Sequence, residues 1–335
     1  MDPHLVSGPV SRRLRPVGRE VGRDVGREVG RWVGLGAGLG ALAGLGTLAY
    51  SAGIEVRNFV VRRVEVMALP AGHRPLKVLH ISDLHLTPHQ GRKRRWLSSL
   101  AAFEPDLVIN TGDNLAHQDS VEPLVEGFGE LLDVPGVFVF GSNDYFAPTL
   151  RNPLGYLLPD DGSRNVHAAK LPWRDLGVAF ERHRWTDLTN SSTRLEVAGT
   201  SIAFVGVDDP HLGYDDLDAV AGPAPTDADL RIGVAHAPYL RVLDQFARDG
   251  YDITFAGHTH GGQVCLPFKG AIVTNCDLDT GRAKGLHRHP ADSRPGDPRS
   301  SWLHVSAGAG TSPYAPVRLC CRPEATLLTL LPRPF

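Results

Sequence analysis

Five times along this chain a short apolar run ends, within a few positions, in an Asp, Asn or His. The first is Val78-Leu79-His80-Ile81-Ser82-Asp83-Leu84-His85, a buried-strand pattern running into a loop that offers a carboxylate and an imidazole two residues apart. Leu107-Val108-Ile109-Asn110-Thr111-Gly112-Asp113-Asn114 delivers a carboxylate after a glycine turn, and Val137-Phe138-Val139-Phe140-Gly141-Ser142-Asn143-Asp144 an amide and a carboxylate. Ile232-Gly233-Val234-Ala235-His236 ends in an imidazole, and Ile253-Thr254-Phe255-Ala256-Gly257-His258-Thr259-His260 in two more. One such junction says little, since Asp113 or Asp144 alone fits a helix cap and His236 alone a turn. Five together constrain the fold. Strands laid side by side bring their ends to one rim, where open α/β folds bind ligands, and oxygen and nitrogen donors on rigid strand ends suit a divalent cation.

Strand and helix patterns alternate between the junctions. Strands are predicted at 77–82, 107–110, 137–140, 230–235 and 253–255, with helices at 95–103, 121–132 and 239–248. A hairpin of 194–197 and 202–207 is predicted around Ala198-Gly199-Thr200, and late strands near 303–305 and 325–331. A Pro-, Asp- and Arg-rich insertion at 150–190 holds one predicted helix, 173–180, and its position would let it cover the rim. This alternation predicts an α/β layered fold.

The N-terminus is different. Residues 1–31 carry seven Arg and four acids in a Val-Gly-Arg-Glu repeat, a basic low-complexity arm, against a net charge of −2 for the whole chain. No nucleic-acid footprint is present. The 23 residues of 32–54 have no charge. As a helix they would reach about 34 Å, enough for a bilayer core of about 30 Å, so a single transmembrane helix is expected there. Gly34/Gly38 and Gly40/Gly44 have the small-xxx-small spacing that suits self-association. The Arg-rich arm places the N-terminus in the cytoplasm by the positive-inside rule. The expected organisation is then a single-pass anchor in the cell membrane, a linker at 55–72 and an extracytoplasmic catalytic domain at 73–335. Cys265, Cys276, Cys320 and Cys321 have no disulfide or zinc-ribbon spacing, and the last two read as strand residues.

The order Asp-x-His, Gly-Asp-Asn, Gly-Ser-Asn-Asp, His and Gly-His-Thr-His-Gly-Gly-Gln resembles the calcineurin-like metallophosphoesterase superfamily over roughly residues 75–330. The closing stretch, Val305 to Ser312 through Arg318 and Arg322-Pro323-Glu324, resembles the end of membrane-linked bacterial members. The resemblance implies an α/β fold, a four-layer α/β/β/α sandwich of two mixed sheets, with two divalent metal ions at the rim. Carried over by position, it implies that Asp83, His85 and His260 hold one ion, that Asp113 bridges, and that His236, His258 and an amide oxygen hold the other. It implies hydrolysis of a phosphate ester or pyrophosphate through a metal-bridging hydroxide, on a phosphorylated small molecule or a lipid or cell-envelope phosphate. Mn, Fe and Zn all suit mixed oxygen and nitrogen donors. Rival readings are a nucleotide phosphodiesterase and a non-catalytic membrane scaffold with a degraded metal site.

One departure stands out. Where the family reads Gly-Asn-His-Asp or Gly-Asn-His-Glu, this chain reads Gly141-Ser142-Asn143-Asp144, so the customary acid His is missing. A Ser hydroxyl is a poor ligand, which makes Asn143 the expected ligand, and Asp113, Asn143 and His258 the residues expected to act at the reacting phosphate. His89 and His117, on loops just after ligand positions, are the substitutes the sequence offers for the acid, although both read as exposed loop residues. Gln263 is placed to orient the preceding histidines. Arg92-Lys93-Arg94-Arg95-Trp96, opening a predicted helix, reads either as a solvated face or as a contact for anionic head groups.

Overall fold

The computed structural model describes residues 41–150, 164, 166–294, 296–297 and 299–334. Among the described residues, 41–49 and those from Tyr50 onward belong to separate units. Residues 41–53 are helical, while the basic arm and 32–40 of the expected span lie outside the described residues. Among the described residues no helix is long and apolar enough to cross a membrane.

Two mixed sheets carry the second unit. The first has the spatial order β1 (Val60–Leu69), β14 (Glu324–Pro332), β2 (Leu76–Ile81), β3 (Leu107–Asn110), β4 (Gly136–Phe138) and β5 (Thr186–Asp187). Only the β14–β2 pair is antiparallel. The second runs β12 (Gly285–His289), β13 (Ser301–Val305), β9 (Ile253–Ala256), β8 (Leu230–Val234), β7 (Thr200–Gly206) and β6 (Ser191–Val197), parallel from β13 to β7 and antiparallel at both edges. A small hairpin of β10 (Cys265–Leu266) and β11 (Gly270–Ala271) follows the last His-rich loop. The helices are α1 (Gly91–Ser99), α2 (Val121–Phe128), α3 (Ser142–Tyr145), α4 (Trp173–Arg182), α5 (Leu217–Val220) and α6 (Leu240–Asp249).

The period-two alternation of strand side chains builds the layers. On β2, Leu79 and Ile81 join a cluster with Leu97, Leu124, Phe128, Leu176 and Phe180 of α1, α2 and α4. Leu76 and Val78, on the other face, pack against Phe204, Ile232, Ile253 and Phe255 of the second sheet. Val205 and Val207 then meet Val242 and Phe246 of α6 behind that sheet. The layers are therefore helices, sheet, sheet, helices. With both faces covered, the central strands β2, β3, β4, β8 and β9 are buried along most of their length, which is why the junction strands read as continuous apolar runs.

Several boundaries differ from the sequence reading. The segment 55–72, expected as a linker, contains β1, which pairs with β14 from Val60↔Glu324 onward. Nothing local announces this pairing, because the partner lies at the other end of the chain. Part of the expected insertion belongs to the layers: α4 packs on the first sheet and β5 pairs with β4, while 151–163 and 165 lie outside the described residues. Cys320 and Cys321 sit in the loop before β14 rather than in a strand. The hairpin forms as expected, with Val197 opposite Thr200 and both Ala198 and Gly199 at positive φ, as a two-residue primed turn requires.

Two histidines meet between the sheets. His80 of β2 and His304 of β13 face each other at Nδ1···Nδ1 2.8 Å, and His80 Nε2 lies 3.0 Å from Thr111 Oγ1. One Nδ1 must donate and the other accept, so the accepting ring must be neutral. Burial holds His80 well below its ordinary value and His304 down at about 3. The unfolded chain binds protons at these groups near pH 6.5 whereas the folded one does not, so stability should fall as pH drops from about 6.5 toward 3. For His304 alone the loss is about 1.4 kcal/mol per pH unit. Chemical denaturation at pH 7 and pH 5 checks this: His80→Phe/His304→Leu should give a flatter pH dependence than wild type, and an equal slope would refute the assignment.

Candidate metal centre

Strands β2, β3 and β4 run parallel in one sheet, as do β7, β8, β9 and β13 in the other, so the C-terminal ends in each sheet share an edge. The two edges meet at Gly257. A Cβ there would lie 1.9 Å from Ser82 Oγ and 2.7 Å from Asp83 Oδ2, so only glycine lets the β9 loop reach the β2 loop. The contact is then tied by hydrogen bonds: the His258 amide donates to both Asp83 carboxylate oxygens at 3.2 and 3.1 Å. The β2 and β3 loops are joined similarly, Asp83 N to Gly112 O and His85 N to Asp113 O, each at 2.9 Å.

Asp83, His85, Asp113 and His260 each place one donor atom within 4.8 Å of all the others. His85 Nε2 lies 3.2 Å from His260 Nε2 and 3.4 Å from Asp113 Oδ2, and His260 Nε2 lies 3.6 Å from Asp83 Oδ1. His260 Nδ1 donates to Gly310 O at 3.2 Å, which leaves Nε2 as the lone-pair nitrogen facing the carboxylates. The loop carrying Gly310 is itself fixed by buried Arg318, which donates to the carbonyls of Ala307 and Gly310, both at 2.7 Å.

The other side of Asp113 faces a second pair of histidines. His236 donates from Nδ1 to Thr111 O at 2.7 Å and points Nε2 toward Asp113 Oδ1 at 3.5 Å. That buried Nε2 has no hydrogen-bond partner among the described residues. A buried nitrogen without a partner is costly, and a cation is the group that would satisfy it beside a carboxylate. The His258 ring packs edge-on against His236, with centroids 5.2 Å apart, and its Nε2 is taken by Asn275 O at 3.0 Å, which leaves Nδ1 to face a ligand. The donor set of Asp83, His85, Asp113 and His260 therefore fits a divalent metal, and two further imidazoles, His236 and His258, lie beyond Asp113.

Electrostatics agree. Burial would depress His236, but the carboxylates of Asp113, Asp209 and Asp83 outweigh it and lift the imidazole to about 9. Burial likewise opposes ionisation of Asp113, yet His236, His85 and two Asn143 hydrogen bonds hold it below the usual carboxylate range. His85 is driven down to about 4 by burial.

Asn143, the expected amide ligand, turns to Asp113: its backbone N donates to Oδ1 at 2.7 Å and its Nδ2 to Oδ2 at 2.8 Å. A carboxylate next to an amide selects the NH2 edge, and that edge of Asn143 faces Asp113. Asp144 accepts from the amides of Gly141, Asp113, Asn114 and Leu115, fixing the β3 and β4 loops to each other. Burial and the charge of Asp113 raise it to about 7. His89 and His117 are exposed on their loops. Gln263 donates to Ala315 O at 3.0 Å, so its hydrogen bond holds the C-terminal loop rather than a histidine ring. Sequence reasoning missed Asp209 and His211, on the loop after β7. Asp209 is buried beside His236, and the His211 ring lies 4.3 Å from that of His258.

Residues 76–262 match the calcineurin-like phosphoesterase family, and the chain belongs to it. It is thereby a metal-dependent phosphoric ester hydrolase. Among its relatives are the transmembrane protein with metallophosphoesterase domain of Bos taurus, 26% identical over 81% of this chain and 56% of that one, and the phosphodiesterase YaeI of Escherichia coli (strain K12), 24% identical over 77% and 83%. The UDP-2,3-diacylglucosamine pyrophosphatase LpxG of Chlamydia trachomatis is 25% identical over 77% of this chain and 84% of that protein.

Two outcomes are expected. A cation at His236 Nε2 must displace the proton that the carboxylates hold there, so apparent metal affinity should rise between pH 7 and about 9, by at most about tenfold per unit. Calorimetric Mn²⁺ titrations in buffers of different ionisation enthalpy would register the released proton, and a pH-independent affinity would contradict it. Gly257→Ala should separate the two loops and weaken metal binding by about 10–100-fold, as loss of a supporting contact does, measured by the same titration.

Proposed function

We propose that the chain is a membrane-anchored phosphoesterase that works with two divalent ions, one held by Asp83, His85, Asp113 and His260 and the other facing Asp113, His236 and His258. The observation that carries this reading is the placing of Asp113 between two histidine pairs. When bound, such a pair of Mn, Fe or Zn ions polarises the phosphoryl oxygens and lowers the pKa of water at neutral pH. The chain's own residues supply the positioning. Thr111 O fixes the tautomer of His236, Gly310 O that of His260 and Asn275 O that of His258. Asn143 holds both oxygens of Asp113, and Asp144 keeps the two loops at fixed separation.

Asn143 has no proton to give at neutral pH. The reading therefore favours substrates whose leaving group needs little protonation, a phosphodiester or a pyrophosphate over an alkyl monoester. Two relatives, one named a phosphodiesterase and one a lipid-sugar pyrophosphatase, support that choice. A lipid or cell-envelope phosphate suits the expected anchor at 32–54, as does the relative named a transmembrane protein. Arg57, Arg62, Arg63, Arg92 and Arg95 are exposed, and Trp96 of α1 stacks on Phe59 with ring centroids 4.8 Å apart. These cations lie on or near the segment that follows residue 54, within reach of anionic head groups, while Lys93 is buried with its ammonium on Leu84 O and takes no part.

The test is hydrolysis by the full chain in detergent, loaded with Mn²⁺, of bis-nitrophenyl phosphate and of nitrophenyl phosphate. Diester turnover well above monoester turnover, falling to the metal-free background in His258→Ala, is expected. Failure to bind any metal would sink the reading, and two bound ions without diester cleavage would direct it to lipid pyrophosphates.

A further inference from the structure

The second ion of that reading lacks an oxygen donor beyond Asp113. Ser142 is a neutral hydroxyl, and the Asn143 amide presents its NH2 to Asp113. One carboxylate remains on the same side. Asp209 is fully buried at the start of the loop that leaves β7, where the charges of both His236 and Asp113 reach it. Ser142 Oγ donates to Asp209 Oδ2, and the His211 amide donates to Oδ1 at 2.8 Å. Neither donor is a cation. Each carboxylate oxygen can accept more than one bond, so both keep a lone pair.

Position 142 follows a glycine packed against Asp113 and the His236 ring. Gly141 precedes it, and a Cβ there would meet Asp113 Oδ1 at 2.4 Å and His236 Cε1 at 2.5 Å. The chain thus passes over Asp113 and the His236 ring, and its next side chain binds the Asp209 carboxylate. Charge points the same way. Two dications with only Asp83 and Asp113 as anions leave a buried excess of positive charge, and a third carboxylate reduces it where the dielectric is low.

We infer that Asp209 supplies a carboxylate oxygen to the ion that His236 and Asp113 face, and that Ser142 acts through it by fixing the rotamer of that carboxylate. This rests on the dinuclear reading above. Asp209 takes the place of an amide oxygen from the β4 loop, and Ser142 at the start of α3 is its support.

The full chain, stripped with chelator and reloaded with Mn²⁺ alone, is analysed for bound metal by mass spectrometry and for ion pairing by electron paramagnetic resonance. Wild type should hold two ions with an exchange-coupled spectrum. Asp209→Ala should keep one, lose the coupled signal and bind the second about 10–100-fold more weakly. Asp209→Asn keeps the size of the side chain and guards against misfolding; it should also weaken the second ion. Asp209→Ala/Ser142→Asn, which returns an amide oxygen on a longer side chain, should regain the second ion. Unchanged stoichiometry and affinity in both Asp209 variants overturns the inference alone. Fewer than two ions in wild type overturns the dinuclear reading and the inference with it.

Discussion

Asp113 is the contact on which both sides of the rim depend. One oxygen faces His85 and the other faces His236, so a single carboxylate from the first sheet is shared by histidines carried on different sheets. Such a group cannot be left to rotate. Two donors from Asn143 fix its oxygens and four amides collected by Asp144 fix the backbone around it. Asp144 contributes nothing to the centre directly, yet it sets the distance between the β3 and β4 loops. A buried carboxylate satisfied by backbone amides is a rigid spacer, because turning it would leave four donors without acceptors.

The backbone pays for this arrangement. Asp83, His85, Asp113, His258 and His260 all have positive φ, between 41° and 68°, a region that costs a residue with a side chain on the order of 1–3 kcal/mol. Most of the donors are thus presented from strained turns at strand ends. The strain is held by the hydrogen bonds between the loops and by the two close-packed sheets beneath, which leave the turns no relaxed alternative. Glycines at 257 and 308 allow the approach from the other side: a Cβ at Gly308 would lie 2.6 Å from Asp83 Cβ.

A polar thread links this centre to the core. His304, His80 and Thr111 are hydrogen-bonded in series between the sheets, and the carbonyl of the same Thr111 orients His236. The inter-sheet packing and the tautomer of one imidazole at the centre therefore share a residue. This accounts for two buried histidines at strand positions that apolar residues would otherwise fill, since an all-apolar interface could not hold Thr111 in place.

Much of this was readable from the chain. Apolar runs of four to six residues ending in Asp or His gave the strands, and the common direction of parallel strands implied that their ends converge, so Asp83, His85, Asp113, His236, His258 and His260 could be named without coordinates. The loop Val207-Asp208-Asp209-Pro210-His211 carried the same signal as the other junctions, but its strand reads first as half of a hairpin, which hid its end. What the sequence could not supply was which atom faces which. The pairing of β1 with β14 joins residues near 60 to residues near 324, and the Asn143 NH2 faces Asp113 only because the β3 loop lies beside it. Alternation and turn chemistry are local and are written in neighbouring residues. Strand order, left-handed turns and the direction of each donor arise from contacts between distant segments, and only the folded chain brings those together.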